Sequence, residues 1–260
     1  MSEEICPICN GTGWKIVERA GLSGATRCSC SEAKIARVAK ENSGIPPNYQ
    51  HASLDNFEIP EDNPIARRGL ATVLMQVRSF VREFPHGDKQ GLLLVGDPGS
   101  GKTHLAAAAL NALINKGHEG VFFDYQNLLD RIRKGWDVTG GTTEKEAYQF
   151  ALDVEVLVID DLAAQRSIDW VQDIITSIVT YRCNNRKALI ATTNVADEVI
   201  TEETTRTSAP VQTSLSERST SRLMLTDVLG TRARSRLFEM CRIVRMPAVE
   251  DYRIRHRQAR

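Results

Sequence analysis

The stretch Gly96-Asp97-Pro98-Gly99-Ser100-Gly101-Lys102-Thr103 satisfies the pattern G-x-x-x-x-G-K-[ST] and lies between an apolar run and a helical one. That spacing suits a polyphosphate. Glycines let backbone N–H groups wrap the phosphate oxygens, and the N-terminus of the following helix adds partial positive charge. Lys102 is placed to meet the β- and γ-phosphates, and Thr103 to put its hydroxyl on Mg²⁺. Further along, "EVLVIDDL" is an apolar run that ends in Asp160 and Asp161. The first carboxylate can hold Mg²⁺ through water, and the second can orient or deprotonate an attacking water. A third run, "ALIATTN", ends in Asn194, whose amide can hold the γ-phosphate or that water. The chemistry implied is hydrolysis of ATP with Mg²⁺, or a switch driven by ATP.

These groups act together only if the elements around them bring them to one place. From Gly91 onward, strand-like runs at Leu92–Val95, Val121–Tyr125, Val156–Ile159, Ala188–Thr192 and Arg242–Met246 alternate with helical patterns at 102–115, 126–134, 143–152 and 168–184. The alternation predicts an α/β fold with a central parallel five-stranded sheet and helices on both faces. The three strand ends then share the carboxyl edge of one sheet, where open α/β folds bind ligands. Upstream, Asn63-Pro64 reads as an N-cap followed by proline in the first turn, and Ile65, Leu70, Val73, Leu74, Val77, Phe80 and Val81 recur near helical spacing. We expect residues 64–260 to form the ATPase domain, with the Ser/Thr-rich, weakly apolar residues 196–221 as a mobile surface insertion. Residues 44–63, rich in Pro, Asn and Ser, read as a linker or an ordered strap.

Residues 1–43 are expected to be a separate module with a short helix at Glu32–Glu41. Cys6, Cys9, Cys28 and Cys30 form C-x2-C-x18-C-x-C, which in an intracellular chain points to four thiolates around Zn²⁺ rather than to disulfides. Unligated or redox-active thiols are the alternative. Gly11 and Gly13 would permit a tight turn under the metal. A module this short cannot build a sufficient apolar core, so the metal would supply its folding energy. Cys183 and Cys241 fall in apolar helix and strand patterns and read as packed free thiols.

With 33 basic and 33 acidic residues, the chain as a whole does not advertise a polyanionic partner. Its acidic start, "MSEEIC", has no apolar segment behind it, and no apolar run approaches a membrane span, so a cytoplasmic protein is expected. Charge is unevenly placed, however: residues 206–260 hold 12 arginines against 5 acids.

Taken in order, "GIPPNY", "GDPGSGKTHLAAA", "LVIDDLAAQRSIDW", "IATTN", "RARSRLFEMC" and "EDYR" make residues 44–260 resemble the bacterial DnaC/DnaI replicative-helicase loaders and the related IstB transposition-helper ATPases of the AAA+ superfamily. The resemblance implies an ATP-dependent homo-oligomer that binds single-stranded DNA and delivers a hexameric ring helicase onto it. It also implies an arginine finger that completes a neighbour's ATP site. The matching position is Arg236 in Ser235-Arg236-Leu237, with Arg232 as its partner; a second Ser-Arg-Leu at 221–223 makes Arg222 the competing choice, and the following "LFEMC" favours Arg236. The sensor arginine on the subunit's own nucleotide matches Arg253 in "DYR". So little chain follows Arg253 that no helical lid domain is expected.

The same resemblance places "QNLLDRIRKGWDV" along a central channel, putting Arg131, Arg133 and Lys134 near DNA phosphates and Trp136 as a stacking surface. A solvated helix face and a buried tryptophan are the competing readings. It also assigns the zinc module to gripping the helicase, with DNA binding as the alternative. Two rival functions share these residues: a transposition helper acting on duplex DNA with a transposase, and a non-hydrolysing adaptor whose shape ATP fixes. Helical spacing bears on the finger independently. If 232–240 is helical, Arg232 and Arg236 share one face, Ala233, Leu237 and Met240 form the apolar one, and Arg234 points away, while Arg242 and Arg245 belong to the last strand.

Overall fold

The computed structural model describes residues 6–19, 22–136, 142–164, 169–195, 197 and 224–254. A hairpin of β1 (Trp14–Arg19) and β2 (Leu22–Arg27) leads into α1 (Ser29–Glu41), and α2 spans Pro64–Glu83. The Asn63 side chain accepts from the N–H groups of Ile65 and Ala66 at 3.1 and 3.0 Å, so α2 starts where the Asn-Pro pair predicted. Its inward face is Ala66, Leu70, Val73, Val77, Phe80 and Val81, whereas Ile65 is exposed.

The main sheet contains β3 (Gly91–Val95), β4 (Gly120–Asp124), β5 (Val156–Asp160), β6 (Ala188–Thr193) and β7 (Cys241–Arg245), all parallel, in the order β4-β5-β6-β3-β7. Connecting them are α3 (Lys102–Asn115), α4 (Tyr125–Trp136), α5 (Thr142–Asp153), α6 (Asp169–Asn184) and α7 (Leu225–Met240). The five strands and the α/β class are as expected from the sequence. Every residue of β3, β5 and β6 is buried, because both faces of the sheet are covered. Alternate side chains enter two cores: Leu92 and Leu94 pack with α2 and α3, while Leu93 and Val95 pack with α4 to α7. The alanines at 106–109 are all buried, and their small side chains suit a helix enclosed on every side.

Tyr125 is the first residue of α4, not the last of a strand, because the Asp124 carboxylate accepts from the N–H groups of Gln126 and Asn127, both at 3.1 Å. Residues 44–63 form an ordered strap. Ile45 and Ala52 are buried, Asn111 Nδ2 donates to the Ala52 carbonyl at 2.9 Å, and Phe122 N donates to the Ser43 carbonyl at 2.6 Å along the free edge of β4. The insertion expected at 196–221 lies outside the described residues, apart from Asp197. Among the described residues, no helix is long and apolar enough to cross a membrane.

Candidate nucleotide site

β3 pairs with β6 on one side and β7 on the other, while the next strand in the chain, β4, lies at the far edge. That reversal opens a crevice at the carboxyl ends of β3 and β6, and residues 96–103 cross it. Gly99 and Gly101 have φ of 75° and 96°. A Cβ at Gly99 would overlap the Asp251 carboxylate, and one at Gly101 would lie 2.7 Å from the Phe57 ring. Glycine is therefore required here by both backbone conformation and close approach.

Lys102 is buried, and its ammonium donates to the Asp97 carbonyl at 2.8 Å, folding back over the loop. Burial lowers its pKa, against the pull of Asp161, Asp160 and Asp97. At the end of β5, Asp160 is 8% exposed and its carboxylate accepts from Thr192 Oγ1 at 2.6 Å. Burial raises its pKa, the Thr192 hydroxyl lowers it, nearby Asp161 raises it and the Thr103 hydroxyl lowers it. A buried carboxylate lifted by desolvation, beside a second oxygen ligand, is relieved by a hard divalent cation, so Thr103 and Asp160 fit Mg²⁺. Asp161 takes a left-handed conformation (φ 53°), its N–H donates to Thr192 Oγ1 at 2.9 Å, and its carboxylate accepts from Asn194 Nδ2 at 3.4 Å.

Lys102, Thr103, Asp161 and Asn194 line a cleft of about 580 Å³ that also takes in Pro98, Ser100, His104, Tyr49, Phe57, Tyr252 and Arg253. Asp160 and Thr192 stand buried beside Asp161. The strap and the tail after β7 close its two sides. Tyr252 N donates to the Gly99 carbonyl at 3.2 Å, and Tyr252 Oη donates to Glu58 at 3.0 Å, joining tail to strap. Arg253 stands at the mouth with its side chain 71% exposed, its N–H donating to Asp251 at 2.9 Å. The structure thus gathers Lys102, Thr103, Asp160, Asp161, Asn194 and Arg253 in one place. Sequence reasoning missed Tyr49, Phe57 and Thr192. The first belongs to "GIPPNY" and the last to "IATTN", so the signal was present but carried no assigned role. His104, read as structural, does pack on the strap, with its ring 5.6 Å from that of Phe57 and Nε2 3.2 Å from the Ser53 carbonyl, yet it also lines the cleft.

Arg232 and Arg236 lie elsewhere. They line a second cavity of about 820 Å³ between α6 and α7, whose other walls are polar, including Asp173, Thr180, Asn184 and Ser235. No residue of this cavity lines the nucleotide cleft. Arg236 is 40% exposed and donates to Glu239 at 2.6 Å. Arg234 does face away from this pair, but inward, to a buried carboxylate at Asp197. Arg222 lies outside the described residues. Of the residues assigned to DNA, Arg131 sits 5.6 Å from the Phe123 ring centroid and Arg133 6.0 Å from that of Trp170, both exposed, as is Lys134. Trp136 ends α4, and its side chain is outside the described residues.

In the amino-terminal module, Cys6 and Cys9 precede the hairpin, Cys28 follows it and Cys30 is in the first turn of α1. The four Sγ atoms all lie within 4.8 Å of one another, with Cys9–Cys30 at 3.4 Å and Cys6–Cys28 at 3.9 Å. A zinc–thiolate bond of about 2.3 Å gives a tetrahedral S–S edge of about 3.8 Å, so the set fits zinc. Burial works to raise the Cys9 thiol, but the Gly13 N–H and neighbouring thiols bring it down to about 6. A thiolate is then available at neutral pH.

The family model for IstB-like ATP binding proteins matches residues 48–203. The replicative helicase loader DnaC of Escherichia coli (strain K12) is 28% identical over 195 residues, covering 74% of this chain and 76% of that protein. Among solved structures, a crystal structure of the DnaC helicase loader superposes with a TM-score of 0.60 at 31% identity, over 78% of this chain and all of that one. The replication initiator DnaA bound to AMPPCP and single-stranded DNA shares the fold, with a TM-score of 0.57 at 16% identity over 83% of this chain and 56% of that one.

Proposed function

The chain belongs to the family of IstB-like ATP-binding proteins, and from that premise we propose that it is an ATP-hydrolysing helicase loader that works as a homo-oligomer on single-stranded DNA. The observation that carries the reading is the separation of two incomplete halves. One surface holds Lys102, Thr103, Asp161 and Asn194, with buried Asp160 beside Asp161, and another holds Arg232 and Arg236. Each would be completed by the other half of a second copy.

In this reading the N–H groups of Gly99, Gly101, Lys102 and Thr103 cradle the phosphates and Lys102 leaves the Asp97 carbonyl to neutralise the β- and γ-phosphates. Thr103 and Asp160 would hold Mg²⁺, which when bound would supply positive charge against the phosphates. Asp161, steadied by Asn194, orients the attacking water, and Arg253 reports on the subunit's own γ-phosphate. Arg236 of one subunit stabilises charge developing on the phosphoryl group of the next; its planar guanidinium keeps its proton throughout. Tyr49 and Phe57 supply an apolar wall for the base.

The relative named as a replicative helicase loader supports a replicative helicase as partner; in the proposed role that helicase is hexameric and the zinc module is the grip. The exposed side chains of Trp14 and Ile16 on β1 give that module an apolar surface to offer. Arg131, Arg133 and Lys134 are proposed to face DNA phosphates, though two of them are also engaged with rings. The family model itself keeps the transposition-helper reading alive. Pull-down with the host's hexameric helicase separates the two: capture supports the loader, and capture of a transposase with duplex DNA instead would reverse the choice. A non-hydrolysing adaptor would have no use for Asp161 or Arg236. Freshly purified protein is expected to hold about one equivalent of zinc, and less than about half would refute the metal assignment.

Mixing Lys102→Ala with Arg236→Ala protein tests the shared site. Each variant alone should be nearly inactive, and mixtures should recover DNA-stimulated hydrolysis, because the two defects lie on opposite sides of one interface. Absence of recovery at every ratio would remove the trans finger.

A further inference from the structure

Helix α7 is broken at Gly230, which leaves helical geometry at φ 77° and ψ 159°. The segment that carries Arg232 and Arg236 therefore takes no orientation from the turn before it. Its far end is tied down, since Met240 runs straight into β7 and Lys89 Nζ donates to the Glu239 carbonyl at 2.5 Å. Its near end is held by an ion pair. Arg234 donates from Nε and Nη2 to the two carboxylate oxygens of Asp197 at 2.5 and 2.6 Å, and its guanidinium lies 4.6 Å from the Phe238 ring centroid. Asp197 is fully buried and the Arg234 side chain is 21% exposed. Two residues along an α-helix are about 200° apart, so Arg234 turns inward while Arg232 and Arg236 turn outward.

Asp197 follows β6, the strand whose end is bonded into the nucleotide site. Thr192 holds Asp160 and the Asp161 N–H, Thr193 Oγ1 donates to the Leu162 carbonyl at 2.8 Å, and Asn194 reaches Asp161. We infer that Asp197 and Arg234 are positioning residues for the trans site: they lock the finger segment of α7 to the strand that reads the subunit's own nucleotide. A two-bond fork fixes rotation as well as distance, which a single contact would not. A buried ion pair adds little net stability compared with an apolar replacement, so its use here lies in register. The inference rests on Arg236 acting in the neighbouring site.

The test uses subunits that can only donate a finger. Lys102→Ala protein should restore hydrolysis to Arg236→Ala protein, and Lys102→Ala/Asp197→Asn/Arg234→Gln should restore it about 10- to 100-fold less, the cost of misplacing a reacting group by about 1 Å. As acceptor, Asp197→Asn/Arg234→Gln/Arg236→Ala should be rescued by Lys102→Ala as fully as Arg236→Ala is, and should bind ATP with unchanged Kd. If the paired variant does not fold, Lys102→Ala/Arg234→Lys serves as donor: it keeps the charge, loses the fork, and should rescue at least several-fold less than Lys102→Ala alone. Rescue by the altered donor within twofold of normal, or equal losses as donor and acceptor, would overturn the positioning role. Failure of the unaltered Lys102→Ala donor would instead overturn the finger itself, and this inference with it.

Discussion

The nucleotide cleft and the polar face between α6 and α7 stand at opposite extremes of finish. In the cleft the reactive groups are already bonded, Lys102 to Asp97 and Asp160 to Thr192 in buried positions and Asp161 to Asn194 nearer solvent. On the α6–α7 face the arginines are solvated, and Arg236 rests on a carboxylate that is itself 57% exposed. Desolvated groups can be arranged within one chain because the sheet's carboxyl edge supplies the partners. In the proposed trans role, a cation that serves another subunit's phosphate must stay wet until assembly, since burying it unpaired would cost several kcal/mol. Under that proposal, preorganisation belongs to the half that binds, and exposure to the half that is delivered.

The sharpest way to separate the two regions is Arg236→Ala. ATP binding should be unchanged and hydrolysis should fall about 10³-fold or more, measured as Kd against single-turnover rate. Weakened binding would mean that the arginine face belongs to the subunit's own site. Lys102→Ala should do the reverse, weakening ATP binding about 100-fold through loss of a charge-assisted contact worth about 3 kcal/mol, while leaving its capacity to donate a finger. Thr192→Val keeps the shape and removes the hydroxyl that holds Asp160. The Mg²⁺ concentration needed for half-maximal nucleotide binding should rise about 10-fold, and Thr192→Ser should restore it.

Asp160→Asn bears on the strain of the nucleotide-free cleft. The folded pKa of Asp160 is raised by burial, so its favourable protonated state is present at low pH and lost as pH rises through that raised value. Above that value the ionised group opposes folding, and the amide should raise Tm, an advantage that shrinks as pH falls toward the ordinary carboxylate range. A drop in Tm at neutral pH would show that its hydrogen bonds outweigh burial. The smallest effect is expected on the exposed face: Glu239→Gln frees Arg236 and should change the protein concentration at half-maximal hydrolysis by less than about fivefold.

The bound surfaces of the cleft were legible in unequal measure. Lys102, Thr103, Asp160 and Asn194 follow from spacing, because a loop between a strand and a helix and the ends of two buried strands have few places to go. The clustering of Cys6, Cys9, Cys28 and Cys30 was legible as well, from their spacing, although the hairpin between them was not foreseen. Tyr49 and Phe57 were hidden, since a Pro- and Asn-rich strap carries no periodicity to say which side it turns to the loop. Arg234 was set aside for pointing away from Arg236, and only the packing of α7 revealed the buried carboxylate of Asp197 on that side.

The local code determined the elements, the phosphate loop and the acids at the strand ends, because alternation, glycine placement and strand-end residues act over a few neighbours. The tertiary structure decided what closes the cleft, which arginine turns inward, and that the phosphate-loop groups and the Arg232–Arg236 pair occupy separate surfaces. Those outcomes depend on contacts between segments far apart in the chain, such as Glu58 with Tyr252 and Asp197 with Arg234, which no short stretch of residues can encode alone.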